Sequence, residues 1–133
     1  MPDMVVLCID NDSEDIEFFG DAVKMVDPLI TYLSALGGQE ALHLLASIQD
    51  IQQLPTYIFL DVNMPRMDGK ETLIEIRKID RYRSVQIVML STGLNPKEFE
   101  EYKQLGANHF MPKGNSLQNL CDKLRAIIGN KFS

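Results

Sequence analysis

Cysteine and histidine are scarce in this chain, two of each, and neither type occurs at metal-binding spacing. Cys8 falls in an apolar strand and Cys121 on an apolar helix face, so both are expected as small core hydrophobes rather than as a disulfide or metal ligands. His43 and His109 are isolated in sequence and are read as surface or core residues, not as catalytic bases. Basic charge is also short. Thirteen Lys and Arg stand against 19 Asp and Glu, a net charge of −6, which repels a phosphate backbone and argues against direct nucleic-acid binding. Long apolar runs are missing too: only Met4 to Ile9 precede Asp10, with no basic segment before them. Neither a signal peptide nor a membrane span fits, and the expected location is cytoplasmic. Gly37-Gly38 and Gly69-Lys70 match no phosphate-cradling loop, so nucleotide binding is unsupported. No repeat, low-complexity tract or linker divides the 133 residues, which suit one domain.

What is present is an ordinary globular balance, 45% apolar and 24% charged, arranged as five apolar runs alternating with five helix-period segments. The expected strands are Met4 to Ile9, Leu29 to Ala35, Thr56 to Leu60, Val85 to Leu90 and Ala107 to Met111. The expected helices begin with Ser13 to Val26, striped by Ile16, Phe19, Val23 and Val26. Phe18 and Met25 flank that stripe and are expected to widen its buried face. Gly38 to Ile48 and Lys70 to Ile79 follow, and a fourth helix opens at Asn95-Pro96, an N-cap followed by proline at the first helical position. The last carries Leu117, Leu120, Cys121, Leu124, Ile127 and Ile128 inward and ends at Gly129. Strands alternating with helices mean a parallel, doubly wound sheet.

The most informative stretch is Phe59-Leu60-Asp61-Val62-Asn63-Met64-Pro65-Arg66-Met67-Asp68-Gly69. A buried apolar run ends in a carboxylate, and Pro65 and Gly69 prevent the strand from continuing. Met64 and Met67 are read as packing for that loop. In a sheet of order 2-1-3-4-5, the carboxyl ends of strands 1, 3, 4 and 5 surround one crevice. They deliver Asp10, Asn11 and Asp12, then Asp61, then Ser91 and Thr92, and finally Lys113. Crowded carboxylates repel unless a cation offsets them, and oxygen donors without His or Cys favour Mg²⁺. Such a cation beside one ammonium and one hydroxyl is equipped to hold a phosphoryl group, with Asp61 as the nucleophile that becomes an aspartyl phosphate. Glu14 and Asp15 are read as an acidic first helical turn complementing the helix dipole. A calcium loop over Asp10 to Asp21 fails because Asp15 stands where the turn needs glycine.

These residues resemble, over essentially the whole chain, the receiver domain of bacterial two-component response regulators in its stand-alone, chemotaxis-regulator-like form. The resemblance rests on Val6 to Asp12, the Asp61 to Gly69 motif, Ser91, Phe110 and Lys113, in the family's order and spacing. It implies a flavodoxin-like α/β fold with five parallel strands, order 2-1-3-4-5, and five helices. It implies phosphoryl transfer to Asp61 from a histidine kinase or histidine phosphotransfer protein. Mg²⁺ would be held by Asp10, Asn11, Asp12, Asp61 and the backbone carbonyl of Asn63. Lys113 would contact the phosphoryl oxygens, Ser91 would move to hydrogen-bond them, and Phe110 would change rotamer with it. Ser91 matches the family position better than its neighbour Thr92. The output would be contact with a downstream protein by a monomer or weak dimer, without small-molecule turnover. Two departures stand out. Asn11 replaces an acid that is usually a metal ligand, and Gly114 follows Lys113 where proline is common. Two other readings compete: a degenerate receiver that binds partners without phosphorylation, and an aspartyl-nucleophile hydrolase. The latter needs a second acid two residues after Asp61, where Asn63 stands.

Overall fold

The computed structural model describes residues 3–113 and 116–129. Five strands, β1 (Val5–Asp10), β2 (Thr31–Leu36), β3 (Tyr57–Asp61), β4 (Gln86–Ser91) and β5 (His109–Pro112), pair in parallel in the order β2-β1-β3-β4-β5. Five helices connect and follow them: α1 (Ser13–Val26), α2 (Gly38–Ser47), α3 (Gly69–Arg77), α4 (Pro96–Gln104) and α5 (Leu117–Ile128). The flavodoxin-like fold expected from the alternating pattern is therefore the fold observed. Among the described residues no helix is long and apolar enough to cross a membrane.

Successive strand residues point to opposite faces, and here both faces are covered. Leu7, Ile9, Ile58, Leu60, Ile87 and Met89 pack with Leu45 of α2, Leu73 and Ile76 of α3 and Tyr102 of α4. Val6, Cys8, Phe59, Val88 and Leu90 face α1 and α5 through Phe19, Val23, Leu120, Cys121 and Leu124. Both cysteines are buried and unpaired, as expected, and burial pushes the Cys8 thiol up to about 12, which keeps it protonated.

Each strand ends at least one residue later than its apolar run. An apolar run stops where the first polar side chain appears, but backbone pairing does not: Asp10 pairs with Leu36, Asp61 with Leu90 and Ser91 with Pro112. The polar strand-end residues are thus held in the ladder itself. The third helix is shorter than Lys70 to Ile79, because the chain tightens into a single 3-10 turn at Asp80–Tyr82 after α3. The capping expectations hold. Asn95 and Glu98 form a reciprocal capping box at α4, and Gly129 closes α5 at φ 87.

Phe18 and Met25 do not widen the buried face of α1: they are 37% and 56% exposed. The helix presents Phe19, Gly20, Ala22 and Val23 to the sheet. At Gly20 the Tyr32 ring lies so close that an added Cβ would stand 2.6 Å from it. Docking on that side turns Phe18 and Met25 outward. At the opposite end of the sheet from the strand-end polar residues, Arg77 of α3 ties several segments together. It donates to the carbonyls of Gly106 (3.0 Å), Tyr82 (3.0 Å) and Val85 (2.8 Å) and to Oδ1 of Asn108 (2.8 Å). The same Asn108 oxygen accepts the Ile87 N–H at 2.8 Å.

Candidate functional site

Because β1 and β3 are neighbours and their connections run to opposite sides, a crevice opens at their carboxyl ends. Asp10 and Asp61 close the two strands there, 2% and 3% exposed. Each has one oxygen fixed by the turn that follows it. Asp10 Oδ1 accepts the Asp12 N–H at 3.0 Å, and Asp61 Oδ1 accepts the Asn63 N–H at 3.1 Å. The other oxygen of each faces Lys113. The Lys113 N–H pairs with the Ser91 carbonyl at 2.9 Å, which extends the β4–β5 pairing by one residue. Its ammonium then donates to Asp10 Oδ2 at 3.0 Å, Asp61 Oδ2 at 3.2 Å and Asp15 Oδ2 at 3.3 Å.

The electrostatics follow from this crowding. Burial pushes the Asp61 carboxyl above its ordinary range; the Asn63 amide opposes that shift, the Asp10 charge adds to it, and Lys113 pulls back. Burial alone would lower the Lys113 ammonium, but its bond to Asp10 and the charges of Asp61 and Asp10 carry it upward. Lysine stays charged, and three carboxylates face one cation.

Every donor here is oxygen, which suits a hard divalent cation. Among the described residues no three His, Cys, Asp or Glu side chains are gathered as a complete cation site. The donor set therefore fits Mg²⁺ only if the amide of Asn11, backbone carbonyls and water fill the remaining positions. Asn11 is exposed at the mouth of the crevice. Asp12 caps α1, accepting from the N–H groups of Glu14 (2.9 Å) and Asp15 (3.4 Å).

The loop after Asp61 is built to hold that residue. Gly69 N–H bonds the Val62 carbonyl at 3.1 Å, and a Cβ on Gly69 would press on the Asp61 carbonyl and lie 2.8 Å from the Val62 Cα. Only glycine permits this approach. Asp68 caps α3 by accepting from Glu71 N–H at 2.9 Å, and Arg66 occupies the left-handed region at φ 65. Met64 is buried and Met67 half-buried, as loop packing requires.

Ser91 is 7% exposed and its hydroxyl accepts the Gly93 N–H at 3.0 Å, whereas Thr92 is exposed. Ser91 and Phe110 line one cleft of about 320 Å³ together with Met89, Leu94 and Phe99. The rings of Phe99 and Phe110 meet edge to face, centroids 4.5 Å apart. Of the residues singled out in the sequence, Asp10, Asp61 and Lys113 meet in the crevice, while Ser91 and Phe110 line the neighbouring cleft. His43 is exposed and His109 half-buried, both outside this cluster. Gly114, which follows Lys113 where proline is common, lies outside the described residues.

Asp15 is the residue that sequence reasoning missed. In sequence it reads as part of an acidic first turn that complements the helix dipole, yet it accepts from the Lys113 ammonium. The available signal was periodicity: Asp15 lies four residues before Phe19, which continues the buried stripe of α1 by one turn.

Comparison with known proteins agrees with this geometry. The model of the response regulator receiver domain matches residues 6–125. The chemotaxis protein CheY homolog of Campylobacter jejuni is 32% identical over 97 residues, covering 73% of this chain and 72% of that protein. The sensor histidine kinase CheAY of Helicobacter pylori is 26% identical over 126 residues, 95% of this chain but only 15% of the kinase. The structure of chemotaxis protein CheY4 of Vibrio cholerae superposes with a TM-score of 0.80 at 25% identity, covering 94% of this chain and 98% of that one. A family match across nearly the full sheet, carried by strand ends that hold two buried acids and a lysine, leaves one conclusion: the chain belongs to the response regulator receiver domain family.

Proposed function

We propose that this chain accepts a phosphoryl group on a carboxylate oxygen of Asp61 and signals by phosphorylation-dependent protein contact. Receiver domains are signalling proteins rather than classical enzymes. The observation that carries it is the Lys113 ammonium seated between the buried carboxylates of Asp10 and Asp61. In this reading the donor is the phosphohistidine of a histidine kinase or histidine phosphotransfer protein. The N–P bond breaks, an O–P bond forms at Asp61, and the histidine nitrogen takes up a proton. Lys113 holds the transferred oxygens, since an ammonium already positioned at the carboxylate needs little movement to reach them. Asp10, Asn11, Asp12, Asp61 and the Asn63 carbonyl would hold Mg²⁺, which when bound offsets the negative charge of the carboxylates and the phosphoryl group. The protein works in the cytoplasm as a single-domain monomer or weak dimer, and its target is another protein. A charge of −6 supports a protein target over nucleic acid.

Ser91 and Phe110, walls of one cleft, couple the chemistry to the surface of α4, β5 and α5. A second reading, a degenerate receiver that binds partners without phosphorylation, is favoured by Asn11 and by Gly114 standing after Lys113 in place of proline. Intact-mass measurement after exposure to acetyl phosphate and Mg²⁺ separates the two. One added phosphoryl group, lost in Asp61→Asn, supports transfer to Asp61; no addition supports the degenerate reading.

A further inference from the structure

We infer that Asp15 is a positioning residue for Lys113, fixing the ammonium from α1 while Asp10 and Asp61 fix it from the sheet. An ammonium has three N–H donors. Here they meet three carboxylate oxygens on three separate elements, α1, β1 and β3, at 3.3, 3.0 and 3.2 Å. Two anchors leave a long, flexible stem free to swing about the line joining them. A third anchor out of that line fixes the position of Nζ. The placement of Asp15 is itself prepared, because Asp12 caps α1 at the Asp15 N–H and Asp12 in turn donates its own N–H to Asp10. One short segment thus sets two of the three anchors.

The arrangement matters most once Asp61 has reacted, and to that extent it rests on the proposed phosphoryl transfer. As an acyl phosphate, Asp61 no longer offers a carboxylate charge. Lys113 must then turn one N–H to the phosphoryl group while staying over the site. Asp10 and Asp15 remain as its charged anchors. Asp15 also restores to the crevice the third negative charge that Asn11 does not supply. It does so from the side of a small cavity, about 50 Å³, lined by Asp10, Asp15, Phe18, Lys113 and Leu120 among others. An exposed ion pair contributes little to folding, and Asp15 is 52% exposed in its side chain. Its role is therefore one of placement, and global stability is the wrong readout.

The test uses Glu14 as its internal control, since Glu14 shares the acidic first turn and a role confined to the helix dipole predicts equal effects at both positions. The 133-residue chain is treated with an amine-acylating reagent, and modification of Lys113 is followed by peptide mass spectrometry, normalised to Lys78 in the same digest. Asp15→Asn is expected to raise the rate at Lys113 threefold or more, with Glu14→Gln at the parental rate and Asp15→Glu near it. Equal rates in Asp15→Asn and Glu14→Gln would overturn the inference. In a second arm, labelling by acetyl phosphate with Mg²⁺ should fall at least threefold in Asp15→Asn and recover in Asp15→Glu. Parental labelling in Asp15→Asn would overturn the part concerning the reacted site. No labelling of the parent protein would instead refute phosphoryl transfer, while the acylation arm still decides whether Asp15 positions Lys113.

Discussion

The ammonium of Lys113 stands 3.2 Å from Oδ2 of Asp61, across 52 residues of sequence. That pair marks the carboxylate proposed as the phosphoryl acceptor, and Asp61→Asn is expected to abolish phosphoryl acceptance from any donor. Asp68→Asn should label as the parent does and keep its stability, since asparagine caps α3 as well as aspartate. Intact mass after acetyl phosphate treatment reads both. Equal labelling of Asp61→Asn and the parent would refute the assignment.

A pH dependence follows from the same crowding. The Asp61 carboxyl is raised in the folded protein, mainly by burial, so the folded state binds that proton more tightly than the unfolded chain. The associated stability is present below the unfolded value of 3.8 and is lost as pH rises through the folded value. At neutral pH, ionised Asp61 therefore opposes folding. Metal-free Asp61→Asn should melt above the parent at pH 7, and the difference should shrink as pH falls toward 4. Lys113, also raised, contributes stability that persists below 10.5 and is lost only as pH rises past its folded value. Melting curves across pH for both proteins check the sign.

Asn11 is exposed at the crevice and brings no charge, while Asp12 is engaged at the start of α1. Asn11→Asp should tighten divalent-cation binding roughly tenfold, about 1.4 kcal/mol. Calorimetric titration with Mg²⁺ measures it. Unchanged affinity would mean that Asp12 already fills that role.

Ser91→Ala should still accept phosphoryl but fail to report it. The bond that the hydroxyl donates to a charged phosphoryl oxygen is worth about 1.5 to 3 kcal/mol, enough to move a two-state equilibrium about tenfold or more. Amide shifts around Phe110 and Phe99, before and after labelling, are the readout. Lys113→Ala should instead lower labelling itself. A full shift response in Ser91→Ala would assign the switch to Thr92 or to another route.

Two glycines near the site should differ sharply. Gly69→Ala forces a methyl against the Asp61 carbonyl and the Val62 Cα and should cost about 1 to 3 kcal/mol. Gly93→Ala meets nothing within 4 Å and should stay within about 0.5 kcal/mol. Urea unfolding of the two variants makes the comparison.

The architecture was legible in sequence because both faces of the central strands β1, β3 and β4 are buried, so those strands read as apolar runs and each helix as a stripe. The site was legible where its residues terminate those runs: Asp10, Asp61 and Ser91 are buried polar residues at the points where the apolar runs stop. Legibility failed where side-chain direction decided the outcome. Asp15 carries a charge at a helix start, where acids are ordinary, and only the docking angle of α1 turns it toward Lys113. The same docking, set by Tyr32 against Gly20, exposes Phe18 and Met25, which one-dimensional periodicity cannot distinguish from flanking core. Arg77 was invisible because two of its partners, Gly106 and Asn108, lie 29 and 31 residues away.

Those bonds from Arg77 give the far end of the molecule a mechanical meaning. The chain leaving α4 at Gly106 and entering β5 after Asn108 is fastened to α3 and β4, whereas the other end of β5 leads to Pro112 and Lys113 at the crevice. With Lys113 itself tied to the Ser91 carbonyl and to the crevice carboxylates, β5 is moored at both ends, and in the proposed reacted state only the crevice mooring changes while the one at Arg77 stays.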